Sequence, residues 1–145
     1  MENKIAIPKG KKVYFASDNH LGAPNINESK IRESHFLKWL NYVDKDVGAL
    51  FLLGDLFDFW YEYKTVVPKG FVRVLGKLAE ISDRGIPIYF FVGNHDQWMI
   101  NYFEEELGIK VYYQTKEFQI EGKIFFIGHG DGLGPNDIGY KIMKN

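Results

Sequence analysis

The sequence predicts an α/β fold in which mixed β-sheets are flanked by helices, and three observations carry that prediction. From Lys11 to Gly108, strand-like runs alternate with segments of helical period, the pattern of βαβ units building a mostly parallel sheet. Two of those runs, Ala49–Leu53 and Pro87–Val92, are almost continuously apolar, as strands covered on both faces are. After Gly108 the helical segments stop and short strands follow one another closely, which predicts an antiparallel addition or a second sheet. With 145 residues and 46% hydrophobic content, the whole of 1–145 is expected to form a single domain.

"KKVYFAS" (Lys11–Ser17) is β-branched and aromatic and enters a polar loop, so it reads as the first strand. From Asn27, the expected N-cap, "ESKIRESHFLKWLNYV" sets Ile31, Phe36, Trp39, Leu40 and Val43 along one helical stripe. "ALFLL" is the second strand. Pro68 is placed to open the next helix, where "FVRVLGKLAEIS" keeps Phe71, Val74, Leu75, Leu78 and Ser82 on one side and Gly85 stands just past the end. "PIYFFV" is the third strand, and "QWMINYFEEEL" predicts a short helix ending at Gly108. "KVYY", "KEFQI" and "KIFFIG" complete the chain's strands, the last two joined by a tight turn at Glu121-Gly122.

Bulk chemistry excludes several functions. Eighteen Lys+Arg against 19 Asp+Glu give a net charge of -1, so no basic excess points to nucleic acid, and "PKGKK" (Pro8–Lys12) reads as a solvated face. There are no cysteines, which rules out disulfides and thiolate metal sites and fits a reducing compartment. The N-terminus lacks the apolar core of a signal peptide and no stretch reaches the length of a membrane span, so a soluble, cytoplasmic protein is expected.

Each core strand runs into the same kind of chemistry. "SDNHLG" follows the first, with Asp18 and His20; "GDLFD" the second, with Asp55 and Asp58; "GNHD" the third, with Asn94, His95 and Asp96; "GHGD" the last, with His129 and Asp131. The carboxyl ends of strands in an open α/β sheet share one edge, and residues two apart at a strand end point the same way. Taken singly, His20 reads as an ordinary surface or core histidine, Asp18 and Asp55 as turn or cap residues, and His35 in mid-helix as structural. Together they form a set of carboxylate, amide and imidazole donors suited to Mn, Fe, Zn or Mg, with no sulfur. Asp55 stands out because "FLLGDLFDFW" sets it among large apolar side chains, where a carboxylate needs a cation, a hydrogen-bond network or a metal.

In their order, D-x-H, G-D-x-x-D, G-N-H-D and G-H, these motifs resemble the calcineurin-like metallophosphoesterase superfamily, over the chain from Asp18 to Asp131 at least. Within it, "SDNHLG", "GDLFDFW" and "HGDGLGPNDIGY" are similar to the UDP-2,3-diacylglucosamine hydrolases of lipid A synthesis. The resemblance implies a metallophosphoesterase-type sandwich and two divalent metal ions, Mn foremost. Asp18, His20 and Asp55 would hold one, and Asp55, Asn94 and His129 the other. It implies that His95 acts at the leaving group, that Asp96 orients it, that Asp58 and Asp131 support the ligands from behind, and that Asn94, His95 and Asp137 meet the substrate. The implied reaction is pyrophosphate cleavage of UDP-2,3-diacylglucosamine to UMP and 2,3-diacylglucosamine 1-phosphate, with peripheral inner-membrane contact through apolar surface including Trp60, Tyr61 and Tyr63. The alternatives are a nucleotide phosphodiesterase or phosphoprotein phosphatase on the same site, or a non-catalytic interaction module. Two features depart from the pattern. The better-known hydrolases carry Arg at the place of His95, and no G-H-x-H follows His129 before the chain stops at Asn145. The expectation is therefore a fold cut short at its C-terminus, without two metal-binding histidines and a lid.

Overall fold

The structure, a computed structural model, describes residues 3–131. In chain order its elements are β1 (Lys4–Ile5), β2 (Lys12–Ala16), α1 (Ile26–Val43), β3 (Val47–Leu52), α2 (Val72–Asp83), β4 (Ile88–Phe91), α3 (Tyr102–Leu107), β5 (Lys110–Tyr112), β6 (Lys116–Ile120) and β7 (Lys123–Ile127). Strands β2-β3-β4-β5 form a parallel sheet and β1-β6-β7 a mixed one. Strand β3 is buried at every position because both its faces are covered. Leu50 and Leu52 pack with the helices, through Phe36, Leu40, Leu78 and Phe103, whereas Ala49 and Phe51 face Phe118 and Ile120 of the second sheet. The result is helices, sheet and sheet in layers, the mixed α/β sandwich expected.

Several local expectations are corrected. The N-cap of α1 is Asn25, whose Oδ1 accepts from the N–H groups of Asn27 and Glu28, both at 3.1 Å, so Asn27 lies inside the first turn. Ile31 is 60% exposed, since the helix turns Phe36, Leu40 and Val43 inward. Helix α2 begins at Val72, with Pro68 left in the preceding loop and Phe71 as a left-handed N-cap. Its buried face is completed by Ile81, which shares the spacing of Val74 and Leu78. Ser82 instead donates to the Gly108 carbonyl at 3.3 Å. The third helix is shorter than expected because Glu62 Oε2 accepts from Asn101 N and Tyr102 N, at 2.9 and 3.2 Å, and fixes the helix start there. Strand β5 joins the parallel sheet beside β4, because α3 is still long enough to bring the chain back in the same direction. The change to antiparallel pairing comes one strand later, at the β6–β7 hairpin, where Glu121 (φ 48) and Gly122 (φ 77) make the expected two-residue turn. Strand β1 has two residues and no pattern to announce it.

The C-terminal ends of α1 and α2 are tied by charge. Asp44 accepts from Lys77 Nζ at 2.8 Å and pairs with Arg84. The Arg84 hydrogen bond holds the Asp44 carboxyl below its ordinary value, with burial opposing and Lys77 assisting. A carboxyl depressed by folding contributes stability above its unfolded-state pKa and loses it as pH falls through the folded one. Asp44→Asn is therefore expected to unfold less steeply on acidification below about pH 4, in circular-dichroism titration, than the parent. An unchanged acid limb would mean that this ion pair contributes nothing to stability.

Candidate metal centre

Backbone pairing carries the β2 and β3 chains together beyond the strands. Leu53 N donates to Ala16 O at 2.8 Å, Asp18 N to Gly54 O at 3.1 Å, His20 N to Asp55 O and Leu21 N to Leu56 O at 2.9 Å. Along this stretch Asp18, His20 and Asp55 all adopt left-handed backbone, with φ of 56, 45 and 52. Such conformations cost of order 1–3 kcal/mol each and persist only where surrounding bonds over-determine them. Arg32 of α1 supplies two of those bonds, donating from Nη1 to the carbonyls of His20 at 3.0 Å and Asn19 at 3.4 Å. Two glycines let the loops meet. A Cβ on Gly54 would lie 2.6 Å from His129 Nδ1, and one on Gly93 would overlap the Asp55 carboxylate.

The loops after β2, β3 and β4 meet at the edge of the parallel sheet, and the loop after β7 joins them from the second sheet. Asp55 is 3% exposed and sits at the middle. Its Oδ2 lies 3.8 Å from His20 Nε2 and 3.4 Å from His129 Nε2, while its Oδ1 accepts from His95 N at 3.0 Å. Asp18 Oδ1 is 3.9 Å from the same His20 nitrogen, and Asn94 Oδ1 is 3.3 Å from the same His129 nitrogen. Asp18, Asp55 and His129 each offer one ligand atom within 4.8 Å of the others. His129 Nδ1 is 2.7 Å from the Leu53 carbonyl, which only accepts, so the proton resides on Nδ1 and the Nε2 lone pair turns to Asp55 and Asn94. Asp58 Oδ1 is 3.4 Å from His20 Nδ1 and 3.5 Å from His95 Nδ1, and the Asp58 carbonyl takes His95 Nδ1 at 3.0 Å. Asp58 thus lies against both rings, its carbonyl at His95 and its carboxylate beside His20. The rings themselves meet edge to face, with centroids 4.7 Å apart.

Asp96 does something other than orient His95. It is 0% exposed and accepts backbone N–H groups only, from Gly93 at 2.8 Å, Leu56 at 2.9 Å, Asp55 at 3.3 Å and Phe57 at 3.4 Å. It staples the β3 loop to the β4 loop. Burial pushes its carboxyl up from the ordinary value, and the N–H donors of Gly93, Phe57 and Asp55 pull it back. Losing a charged acceptor of buried N–H groups costs about 3 kcal/mol or more. Asp96→Ala should accordingly melt at a markedly lower temperature in calorimetry; wild-type melting with reduced turnover would restore the orienting role.

Other expected residues fall as follows. Asp131 lies next to the centre, on a cleft of about 180 Å³ that it lines with His129, Thr115 and Tyr113. Asp137 lies outside the described residues. His35 is an exposed residue of α1. Trp60 is not surface, being fully buried with Nε1 donating to Glu62 Oε1 at 3.1 Å, because β3's apolar run continues inward through Leu56 and Phe57. Tyr61 and Tyr63 are exposed, at 47% and 56%. Arg32 carries no signal in the sequence, since an arginine on an amphipathic helix is ordinary.

The donor set fits divalent cations on the chemistry of Asp55. Unlike the Asp96 carboxylate, which backbone N–H groups satisfy, Asp55 Oδ2 accepts no backbone N–H and pairs with no Lys or Arg among the described residues, and imidazole nitrogens face it. Two carboxylates, two imidazoles and an amide oxygen around that atom suit Mn, Fe, Zn or Mg.

A family model of calcineurin-like phosphoesterases matches residues 11–143. A UDP-2,3-diacylglucosamine hydrolase of Porphyromonas gingivalis is 43% identical over 120 residues, which is 83% of this chain and 46% of the relative. The enzyme of the same name from Escherichia coli O7:K1 is 32% identical over 130 residues, 90% of this chain and 52% of the relative. That of Actinobacillus succinogenes is 28% identical over 133 residues, 92% and 54%. The chain spans about half the length of the curated relatives it matches.

Proposed function

We infer from one premise, that the chain belongs to the calcineurin-like phosphoesterase family, that its metal centre serves hydrolysis of a phosphoester or pyrophosphate bond. The observation that carries this is Asp55, a buried carboxylate whose Oδ2 faces one histidine from each side and no Lys or Arg among the described residues. Asp18, His20 and Asp55 would hold one cation and Asp55, Asn94 and His129 the second, and Mn is the metal proposed. When bound, the pair supplies Lewis-acid stabilisation of the attacking and leaving oxygens of an in-line displacement at phosphorus. His95 donates Nδ1–H to the Asp58 carbonyl, so Nε2 is the ring atom left to meet the leaving group, which it would do as the second N–H of an imidazolium, while Asn94 also touches the phosphoryl oxygens. Asp58 keeps His20 in the tautomer that turns Nε2 to Asp18 and Asp55.

The substrate proposed is UDP-2,3-diacylglucosamine, split to UMP and 2,3-diacylglucosamine 1-phosphate; the names of the relatives support it. A lipid substrate implies work at the inner membrane from the cytoplasmic side. Exposed Phe59 and Trp98, with ring centroids 5.7 Å apart, and Tyr61 and Tyr63 beside them support peripheral contact there. No helix among the described residues is long and apolar enough to cross a membrane. A second reading, a phosphodiesterase of broader substrate range, is favoured by histidine at position 95, which matches the general phosphoesterase motif. Release of UMP from UDP-2,3-diacylglucosamine, compared with cleavage of bis(p-nitrophenyl) phosphate in Mn and in EDTA, tests the assignment. Mn-dependent UMP release that exceeds ester cleavage is expected. Ester cleavage alone would favour the second reading, and EDTA-insensitive turnover would overturn both.

A further inference from the structure

The N-terminal turns of α1 and α2 both lie at the carboxyl edge of the parallel sheet, and a groove of about 690 Å³ runs between them. That volume is ample for a small organic ligand. Its apolar wall is Ile26, Leu37, Phe71 and Val72, and Lys30, Lys69 and Arg73 line the same groove. Those cations have no ion pair or hydrogen-bond partner among the described residues. The one carboxylate of the lining, Glu33, is engaged by the Ser29 hydroxyl at 2.9 Å. At its inner end the groove reaches Gly22, where an added Cβ would lie 3.6 Å from Phe71 Cζ and 3.8 Å from Asp58 Cβ. Gly22 N donates to Ser29 Oγ at 2.8 Å, so this wall is fixed to α1.

Apolar wall and unpaired cations in one cleft fit one class of ligand. We propose that the groove binds a monomeric amphipathic anion, a phosphate monoester carrying an apolar chain, separately from the metal centre. The chain lies along Ile26, Leu37 and Val72, and the phosphate takes charge-assisted hydrogen bonds from Lys30, Lys69 and Arg73. The acylated sugar phosphate of the proposed reaction belongs to this class, but the site does not depend on that reaction, because none of its residues ligates a metal.

Calorimetric titration with decyl phosphate below its micellar concentration, in EDTA and again in Mn, tests the site independently of the reaction. Binding in EDTA is expected, weakened about tenfold or more by the Lys69→Gln/Arg73→Gln pair, the loss of two charged donors. Val72→Asp should weaken it as well. Val72 is 74% exposed and an acidic residue suits a first helical turn, so that variant folds. Inorganic phosphate or decyl maltoside binding as tightly as decyl phosphate would overturn the proposal. So would binding seen only with Mn, binding unchanged in both variants, or capture only of phosphatidylglycerol vesicles.

Discussion

Asp55→Asn is expected to abolish Mn-dependent hydrolysis, by at least about 10³-fold, and to strip metal from both sites, because one oxygen, Oδ2, faces His20 and His129 alike. The substitution keeps the shape of the side chain. An amide oxygen can still accept from His95 N, the bond Asp55 Oδ1 makes at 3.0 Å, so the loop is retained while the bridging charge is lost. Asn94→Ala is the contrast. Among the described residues its Oδ1 lies beside His129 and not His20, so it should chiefly empty that one site. Metal analysis of the two variants after dialysis decides: equal, single-site losses in both would contradict a bridging Asp55.

The second large effect concerns His95. His95→Gln should lower turnover by roughly 10²–10⁴-fold with metal content unchanged, as removal of a group that protonates or stabilises a leaving oxygen does. Its ring is held by Asp58 and packs on His20, and only its backbone touches Asp55. A sugar phosphate leaves more readily than an alkoxide, so the loss should be smaller on a pyrophosphate than on an alkyl phosphodiester. Loss of bound metal in this variant would move His95 among the ligands.

The legible part of this protein was its periodicity and its strand ends. Alternating strands and helices predicted the parallel sheet, and apolar β3 predicted the two-sided burial that makes Leu50 face helices and Phe51 face the second sheet. The site was legible because Asp18, His20, Asp55 and Asn94 each closely follow a strand of the parallel sheet, whose topology brings those strand ends to one edge, whereas His129 follows β7 of the second sheet and meets them from there, at the Leu53 carbonyl and Asp55. What the sequence hid were interactions made across long separations by unremarkable residues. Glu62 sets the start of α3 from 39 residues away, and no local pattern encodes that. Asp96 sits next to His95 in the chain, which suggested a partnership. Its burial turned the carboxylate instead to backbone N–H groups, which need an acceptor more than the ring does. Asp58, three residues beyond Asp55, is the carboxylate that lies beside both His20 and His95. Arg32 became visible only through the carbonyls it holds.

The proposed metal centre turns on one buried carboxylate, Asp55, joining two cations. Electron paramagnetic resonance of the protein with two equivalents of Mn tests it most directly, since ions sharing a carboxylate at about 3.5–4 Å are exchange-coupled. A coupled multiline spectrum is expected, and Asp55→Asn should remove it. Two isolated six-line signals in the parent protein would contradict it.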